Sequence, residues 1–535
     1  MLKSNKFKNT NIFAVIFSAL ENCYLCIVIG NLVMMSKNSQ ISHRDTPEEN
    51  SYEKTLKSNF LFGSIKLFQV ALSIIKIKIV AVILGPAGMG LQSLMTSALA
   101  SLFQFTTFGI FQSSVRDISF NAQRSANKTA DTIKTLNTLA LGTGLLGVAV
   151  CTAFATPLSK LLFGNENFGS AFWLLGLALL FESLYNAKIA TLQGLRKLKP
   201  LARATVGGAA VGLALSIPLY IQFKEQSIPF VLALNAAVIF LFYHLCSRSF
   251  SDIAPSRLIA LNKLKELGAP IVKLGAVLMC SNGIMTIYSL ALNSFINRVG
   301  SMSDVGLYNG AVTCTYGNII VLVSILSADF YPRLSACIDD KTEFQKTVNQ
   351  QLELLLLIAA PLISLLIIFP KFVVDVLLSS QYHSVISMIS LMALSLIFRI
   401  IWHTFSFVIL AHGHRKTYFW FDAILGNGLV FVMNLMAYYL WGLDGLAYSY
   451  VCGAILMVAV LAILMRNKYE LRLNRNVKWL TLAVIVAVSA EYILKQAADT
   501  ITTTPSVILL IITSLLALAA LNRRVRFVKL KSDKQ

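Results

Sequence analysis

The residues that could do chemistry in this 535-residue chain are charged and polar side chains inside long apolar runs. Ser395, Arg399, His403 and Ser406 follow one another at spacings of three or four residues, which places them on one face of a helix. A charged side chain at the centre of a bilayer costs about 2.5–3.5 kcal/mol or more. Because Arg399 lies near the middle of its apolar run, we expect this stripe to face a polar cleft. The alternative is a hydrogen-bonded lock between helices.

The first apolar run carries three lysines, Lys66, Lys76 and Lys78. At about 100° per residue, Lys76 and Lys78 point to nearly opposite faces, so the three cannot all line one cleft. Lys66 could instead extend its ammonium toward the membrane surface. We predict that Lys78 binds the transported molecule, with Lys66 as a further candidate.

The fourth and eleventh apolar runs add further candidates. Glu182 and Asn186 share a helical face, and Lys188 follows as another cation for the substrate. Glu182 is a candidate coupling site that would bind a proton, and the alternative is a buried ion pair with a lysine. Asn427 and Asn434 lie one heptad apart, where they would contact sugar hydroxyls or hold two membrane helices together.

Membrane-spanning helices must position these side chains. The chain is 56% hydrophobic and 13% charged, and its mean hydropathy is +0.69. The apolar residues form about fourteen blocks of roughly 17 to 27 residues, and each is long enough to cross a hydrocarbon core of roughly 30 Å as a helix. Every backbone N–H and C=O in such a helix pairs within its own segment. The sequence therefore predicts a polytopic bundle of helices.

The distribution of charge explains the net charge of +21. If the even-numbered gaps face the cytoplasm, they and the flanking tails hold about thirty Lys and Arg, whereas the opposite gaps hold about five. We therefore assign the basic tail Arg523–Lys534 to the cytoplasm and to lipid headgroups, and we expect no nucleic-acid partner. The eight cysteines are scattered, so we expect neither disulfides nor a metal, and no cofactor.

Short motifs recur six spans apart. "GLRK" (Gly194–Lys197) ends the fourth span and "GHRK" (Gly413–Lys416) ends the tenth, while "GMGLQS" (88–93) opens the second as "DVGLYN" (304–309) opens the eighth. Six helices are an even number, so two such halves have the same orientation and are related by an axis along the membrane normal. We predict an all-α polytopic membrane protein with two pseudo-symmetric six-helix bundles plus two C-terminal transmembrane helices. A cleft between two such lobes is typical of an alternating-access carrier.

This pattern divides the chain into five parts. Residues 56–250 form the N-lobe with helices 1–6, and residues 269–466 form the C-lobe with helices 7–12. A cytoplasmic linker, 251–268, joins them, and residues 467–535 hold helices 13–14 and the basic tail. Residues 1–55 form an N-terminal extension. It could be an extra helix or a signal-like leader, but we favour either a non-spanning extension or a true start at Met34 or Met35, with the residues before it not native.

The segment "LGPAGMGLQSLMTSALASLFQFTTFGIFQSSVR" (84–116) resembles bacterial O-antigen and polysaccharide flippases, the Wzx-type translocases of the multidrug/oligosaccharidyl-lipid/polysaccharide exporter superfamily. "VGLYNGA" (305–311), "YPRLS" (331–335) and "LLSSQY" (377–382) are also similar to this family. The resemblance covers roughly residues 57 to 466. It implies movement of an undecaprenyl-diphosphate-linked oligosaccharide, such as a lipopolysaccharide O-antigen unit, from the cytoplasmic to the outer leaflet of the bacterial inner membrane. It also implies contacts with membrane lipids and with polysaccharide polymerase or assembly proteins.

Three alternatives stay open at this point. The added C-terminal helix pair is compatible with a peptidoglycan-precursor flippase, and a drug or cation exporter of the same superfamily would share the fold, although its cleft would carry acidic residues. A membrane-embedded glycosyl ligase or polymerase would need a large outer loop, whereas the outer gaps here are about 3 to 14 residues. No phosphate-cradling "GxxxxGK[ST]" is present, so we expect membrane potential or a proton or sodium gradient to drive transport.

Overall fold

In a computed structural model of the protein, the described residues are 68–122, 124–247, 261–327 and 329–497, with Thr513 and Leu515. Within these ranges the chain is helical and contains no strand. The predictions for the N-terminal extension, for Lys66, for most of the fourteenth span and for the basic tail lie outside the described residues. Residues 261–268, predicted as part of a linker, are helical.

The helices are numbered here in chain order. They are α1 (68–83), α2 (Gly85–Thr107), α3 (Ile110–Ala122), α4 (Ala126–Ala153), α5 (Ala155–Phe163), α6 (Gly169–Gly194), α7 (Leu198–Phe223), α8 (Ile228–Ser247), α9 (Leu261–Val299), α10 (Met302–Val312), α11 (Asn318–Leu326), α12 (Phe330–Ala336), α13 (Lys341–Ile368), α14 (Pro370–Leu377), α15 (Ile386–Ala411), α16 (Arg415–Tyr418), α17 (Asn427–Lys468) and α18 (Arg475–Ala497). Two π-helical segments, Thr313–Gly317 and Phe419–Gly426, are continuous with their neighbouring helices.

Eight helical segments of the described chain are long and apolar enough to cross a membrane, or nine if the pair α2–α3, bent by 53°, counts as one span. Two of the eight, Leu198–Ser247 and Lys416–Lys468, have 50 and 53 residues. At 1.5 Å per residue each would be roughly 75–80 Å long, more than twice a hydrocarbon core. Lys224 and Gly442 interrupt them with φ of 46° and 61°, so each holds two of the predicted spans. The total of about fourteen stays a prediction.

Four of the five tryptophans are exposed on the surface of the bundle. The exposed fractions of Trp173, Trp420, Trp441 and Trp479 lie between 59% and 64%. Tryptophan is enriched at both membrane interfaces because its ring is apolar and its N–H is polar. These positions agree with a multi-pass membrane protein.

The helices pack as the two predicted bundles. In the N-lobe, α6 packs against α4 and α8, and α8 packs against α7; in the C-lobe, α15 packs against α13 and α17. The additional helix α18 packs on α13 and α15. The all-α fold with two lobes is therefore confirmed.

The lobes approach each other most closely where α2 crosses α10. A Cβ atom added to Gly90 would lie 1.9 Å from the carbonyl oxygen of Met302, and one added to Gly306 would lie 1.8 Å from that of Pro86. Such distances are far below van der Waals contact, so only glycine allows the two backbones to come this close. This crossing lies at the predicted outer end of the bundle.

At the same end, the first helix of each lobe supplies a cation to a short helix of the other lobe. Lys78 on α1 donates to the carbonyl oxygens of Asp375 and Leu378 at the C-terminus of α14, both at 2.5 Å. Arg298 on α9 donates to the carbonyl of Lys160 in the last turn of α5 at 2.8 Å. The last carbonyls of a helix have no partner within it and attract cations. Two reciprocal caps therefore hold the lobes together at this end.

Candidate functional site

A cavity of about 270 Å³ lies within the C-lobe, between α9, α10, α15 and α17. Aromatic and amide side chains form most of its wall, and Arg399 is the one charged residue among the described residues that line it. The aromatic members are Tyr288, Tyr308, Tyr316, Trp402, Phe431 and Tyr450. A concave apolar site with a few polar groups is typical of a small-molecule pocket.

Arg399 projects from the middle of α15 and lies on an aromatic face. Its guanidinium carbon is 3.9 Å from the centre of the Trp402 ring, and its Nη2 is 3.5 Å from Oδ1 of Asn427. The first contact is a cation–π interaction worth about 0.5–2 kcal/mol, and the second is at the limit of a hydrogen bond. Within the described chain no carboxylate forms an ion pair with Arg399. Most of its N–H donors are therefore available to a ligand.

Trp402 connects Arg399 to a carboxylate outside the cavity lining. The indole Nε1 donates to Oδ1 of Asp422 at 2.8 Å, and the Ser406 hydroxyl donates to the same oxygen at 2.7 Å. Asn427 donates to the main-chain carbonyl of Asp422 at 2.6 Å. Arg399 and Asp422 therefore lie close in one polar cluster and partly balance each other's charge.

Both π-helical segments contribute to this cluster. Tyr316 of the first segment lines the cavity, and Asp422 belongs to the second. A π-helical turn inserts an extra residue, shifts the side chains that follow and occurs frequently at functional sites. Regular helices would present different residues to the cavity at these two places.

The hydroxyl groups around the cavity are arranged in pairs. The hydroxyls of Tyr308 and Tyr450 are 2.8 Å apart, and the hydroxyl of Tyr316 is 2.7 Å from Oγ of Ser395. The amide oxygen of Asn434 accepts a hydrogen bond from Ser449. Each hydroxyl can both donate and accept, so these groups can exchange partners with a ligand that carries hydroxyls.

The structure brings four of the predicted site residues together. Arg399, Asn427 and Asn434 line the cavity. His403 lies one turn beyond Arg399, and the two share a smaller cavity of about 40 Å³ against α11. The imidazole packs edge-on to Phe407 at 4.8 Å, and its Nε2 has no hydrogen-bond partner among the described residues.

The other predicted site residues lie elsewhere. Lys78 belongs to the reciprocal caps described above, and Lys76 is half-buried on the same helix. Glu182 on α6 accepts a hydrogen bond from the Tyr185 hydroxyl at 2.9 Å, and Lys188 follows on α6, also half-buried. These residues are in the N-lobe, and none of them lines the cavity.

Trp402 and Asp422 were not among the residues predicted from the sequence. Asp422 stands inside the predicted eleventh span, so the cost of a charge in a membrane, applied there to Arg399, would have identified it. For Trp402 and the tyrosines no such signal exists, because an aromatic residue in an apolar run looks the same whether it lines a cavity or faces lipid.

Two interactions outside the spans lie at the predicted cytoplasmic end. Lys341 forms an ion pair with Glu470 and holds the pKa of that carboxyl below its usual range. His414 follows α15, and its Nδ1 is 2.9 Å from the Tyr469 hydroxyl. Partial burial, followed by the charge of Lys468, lowers the pKa of His414. Both interactions tie neighbouring loops of the C-lobe together.

Comparison with known proteins gives a family model and a set of similar folds. The model, described as polysaccharide biosynthesis protein, matches residues 79–387, more than half of the chain. None of the curated proteins matches the sequence. Among solved structures, the lipid II flippase MurJ in an inward closed conformation is similar with a TM-score of 0.60 and 14% identity, covering 87% of this chain and 99% of that one.

Two further structures belong to the multidrug/oligosaccharidyl-lipid/polysaccharide (MOP) superfamily. An inward-facing multidrug resistance transporter of the MATE family has a TM-score of 0.59 and 14% identity, covering 83% of this chain and 100% of that one. A transporter from Pyrococcus furiosus, described with a binding pocket of reverse polarity, has a TM-score of 0.55 and 14% identity, with coverages of 81% and 96%. At such identities the likeness establishes the fold alone.

Proposed function

The chain belongs to the polysaccharide biosynthesis protein family, and from that premise we propose that it is a flippase for a lipid-linked oligosaccharide. The proposed substrate is an undecaprenyl-diphosphate-linked repeat unit, of O-antigen or another polysaccharide, which moves from the cytoplasmic to the outer leaflet of a bacterial inner membrane. Family membership and the fold shared with MOP transporters support a transport role rather than catalysis.

The cavity around Arg399 is the observation that carries this proposal. The lipid tail of such a substrate can stay in the bilayer, whereas its sugars and phosphates cannot enter hydrocarbon. The protein therefore needs only to shelter the polar head group. A cavity with one cation, several amides and paired hydroxyls inside a membrane bundle has the chemistry for that task.

Transport by alternating access would require the lobes to separate at the predicted outer end. The contacts there are the glycine crossing of α2 with α10 and the reciprocal caps made by Lys78 and Arg298. Hydrogen bonds to charged groups are worth about 1.5–3 kcal/mol each, so substrate binding could offset their loss. We propose that these contacts close the outer side, and that Lys66 and Lys188 assist the diphosphate.

Glu182 is the proposed coupling residue. It is a carboxyl group within a span and accepts a hydrogen bond from Tyr185, so binding of a proton or sodium ion there would change the charge of the N-lobe. The membrane potential could also contribute, because moving one charge through 100 mV is worth about 2.3 kcal/mol.

An exporter of organic cations is the second candidate, because aromatic residues line the cavity and Asp422 lies behind Trp402, outside the lining. Arg399 argues against it, since the guanidinium occupies the face of Trp402 that a cationic drug would take.

The test is transport of a fluorescent undecaprenyl-diphosphate oligosaccharide across vesicles that contain the protein, with a cationic dye assayed in parallel. The proposal predicts movement of the glycolipid, strong loss in Arg399→Ala, partial recovery in Arg399→Lys and no effect of Lys273→Ala, an exposed cation on α9. Movement of the dye and not the glycolipid would establish the exporter instead.

A further inference from the structure

We infer that the Arg399 cavity binds a sugar ring that carries one carboxylate, an acidic sugar of the transported glycan, and not the diphosphate of the lipid carrier. This inference rests on the proposed function and specifies which part of the substrate the cavity takes. The charge of the site and the remaining wall of the cavity support it, and the geometry of the guanidinium is compatible with it.

The charge of the site fits a single carboxylate. Arg399 is the one cation among the described lining residues, and the carboxylate of Asp422 lies behind Trp402 in the same cluster. A diphosphate carries a negative charge on each phosphate, so it would leave excess negative charge in a medium of low dielectric constant. Buried charges are tolerated when they are paired. One carboxylate on the ligand brings half the charge of a diphosphate into a site where Asp422 already balances part of the Arg399 charge, so the site favours one negative charge over two.

The geometry of Arg399 allows a bidentate contact with a ligand carboxylate, as it would with a phosphate, so the charge and the size of the site decide between the two groups. Guanidinium has five N–H donors in one plane, and two of them match the two oxygens of a carboxylate. Stacking on Trp402 at 3.9 Å fixes the orientation of that plane. Asn427, at 3.5 Å, is the hydrogen-bond partner found within the described chain, so an edge of the guanidinium is open to a bidentate contact.

The rest of the cavity suits the ring of a sugar. The paired hydroxyls of Tyr308 and Tyr450 and the amides of Asn309 and Asn434 can bond ring hydroxyls, while the aromatic faces cover the apolar C–H faces of a pyranose. The volume of about 270 Å³ is just below the usual range for ligand pockets, about 300–1,000 Å³. It accommodates a single sugar ring rather than a whole oligosaccharide.

The experiment compares two lipid-linked trisaccharides that differ in one sugar, either glucuronate or the glucose obtained by reducing its carboxyl. We expect the wild-type protein in vesicles to move the glucuronate form at least tenfold faster. Arg399→Gln should abolish this preference, so that the glucuronate and glucose forms move at equal rates. Lys273→Gln, which removes an exposed cation on α9, serves as the matched control.

Other outcomes would overturn the inference in distinguishable ways. If the wild-type protein moves both forms equally and Arg399→Gln slows both equally, Arg399 binds the shared diphosphate, and the flippase function stands while the acidic-sugar inference fails. If neither form moves, the proposed function fails.

A binding measurement decides the inference without transport. Trp402 lies against Arg399, so its fluorescence reports on occupancy of the cavity. The chain has five tryptophans, and subtracting the spectrum of the Trp402→Phe variant removes the signal of the other four. Saturable quenching by free glucuronate and not by inorganic pyrophosphate supports the inference. Quenching by pyrophosphate alone, or by neither probe, overturns it.

Discussion

The helices α6 and α15 occupy corresponding positions in the two lobes, and they place opposite charges at the same depth. Each helix has 26 residues, and Glu182 and Arg399 each lie thirteen residues after the first residue of their helix. An aromatic residue three positions later contacts the charge in both cases: the Tyr185 hydroxyl donates to Glu182, and the Trp402 ring stacks on Arg399. The two lobes therefore share the position of the polar pair but differ in its chemistry.

The two lobes are therefore not chemically equivalent, although their helices correspond. In the C-lobe two π-helical segments lie beside the charged residue, and the cavity opens there. The described helices of the N-lobe contain no π-helical segment. We therefore propose that Arg399, a cation with open N–H donors, binds an anion in the C-lobe, and that the carboxyl group of Glu182 serves coupling in the N-lobe.

The most disruptive way to test the comparison is to give the C-lobe the charge of the N-lobe. We expect Arg399→Glu to reduce glycolipid transport at least hundredfold, because the new carboxylate would lie near Asp422 and would repel an anionic substrate. Lys273→Glu makes the same change of charge on an exposed face of α9 and should leave transport within twofold. Retention of more than a tenth of the activity in vesicles by Arg399→Glu would show that the sign of this charge is not essential.

Removing the partner charge should chiefly affect stability. Asp422→Ala would leave the buried N–H of Trp402 and the hydroxyl of Ser406 without an acceptor, at about 1–3 kcal/mol each. We expect the midpoint of thermal unfolding in detergent to fall by several degrees. Asp444→Ala, an exposed carboxylate on α17, should change it little. Equal midpoints for the two variants would show that the Asp422 cluster does not stabilise the C-lobe.

The glycine crossing between the lobes can be tested with a single methyl group. Gly90→Ala would bring a Cβ within 1.9 Å of the Met302 carbonyl, whereas Gly142→Ala on α4 meets no atom within 4 Å. We expect Gly90→Ala to slow transport about tenfold and to make the outer end more reactive to membrane-impermeant thiol reagents at a cysteine introduced at Ser301. If Gly90→Ala behaves like Gly142→Ala in both assays, close contact at this crossing is not needed.

The smallest effect is expected where the motifs "GLRK" (194–197) and "GHRK" (413–416), which follow α6 and α15, differ. His414→Leu converts "GHRK" into the "GLRK" of the N-lobe and removes the contact with Tyr469. Because the pKa of His414 in the folded state lies below its ordinary value of 6.5, protonation opposes folding, and the wild-type protein loses stability as the pH falls through that range. The variant should lose about 1 kcal/mol or less at pH 8. Between pH 5 and 8, the midpoint of thermal unfolding should depend less on pH for His414→Leu than for the wild-type protein. An equal pH dependence would show that His414 does not contribute to it.

The repeated motif "GLRK"/"GHRK" illustrates how far the sequence predicts the fold. It correctly indicated that α6 and α15 end there, but not which residue makes the turn. Gly194 is the last residue of α6, where a Cβ would lie 2.6 Å from Cγ2 of Ile118, and Arg196 takes the positive φ of 55°. In the C-lobe Gly413 itself has a φ of 70° and open space around it. Local packing decides between these two uses of glycine, and a single sequence does not contain that information.

The charged residues of the candidate site could be predicted from the sequence, because a charge inside a membrane span is energetically costly. Arg399 could be found because a cation in the middle of an apolar run requires a reason, and Asp422 could have been found in the same way. The aromatic wall depends on the π-helical turns, which alter the helical periodicity on which face assignments rest. Lys78 was assigned to the substrate from its charge and its place near the "GPAG" segment (85–88), whereas its contacts with α14 depend on how the lobes meet.

The most direct test of alternating access is to determine from which side of the membrane the C-lobe cavity can be reached. A single cysteine at Ala454, which lines the cavity, would be introduced into a cysteine-free protein that still transports the glycolipid, and labelled from each side of sealed vesicles with an impermeant thiol reagent. We expect labelling from the cytoplasmic side at rest, with labelling from the outer side appearing during turnover. Labelling from one side only under all conditions would contradict alternating access through this cavity.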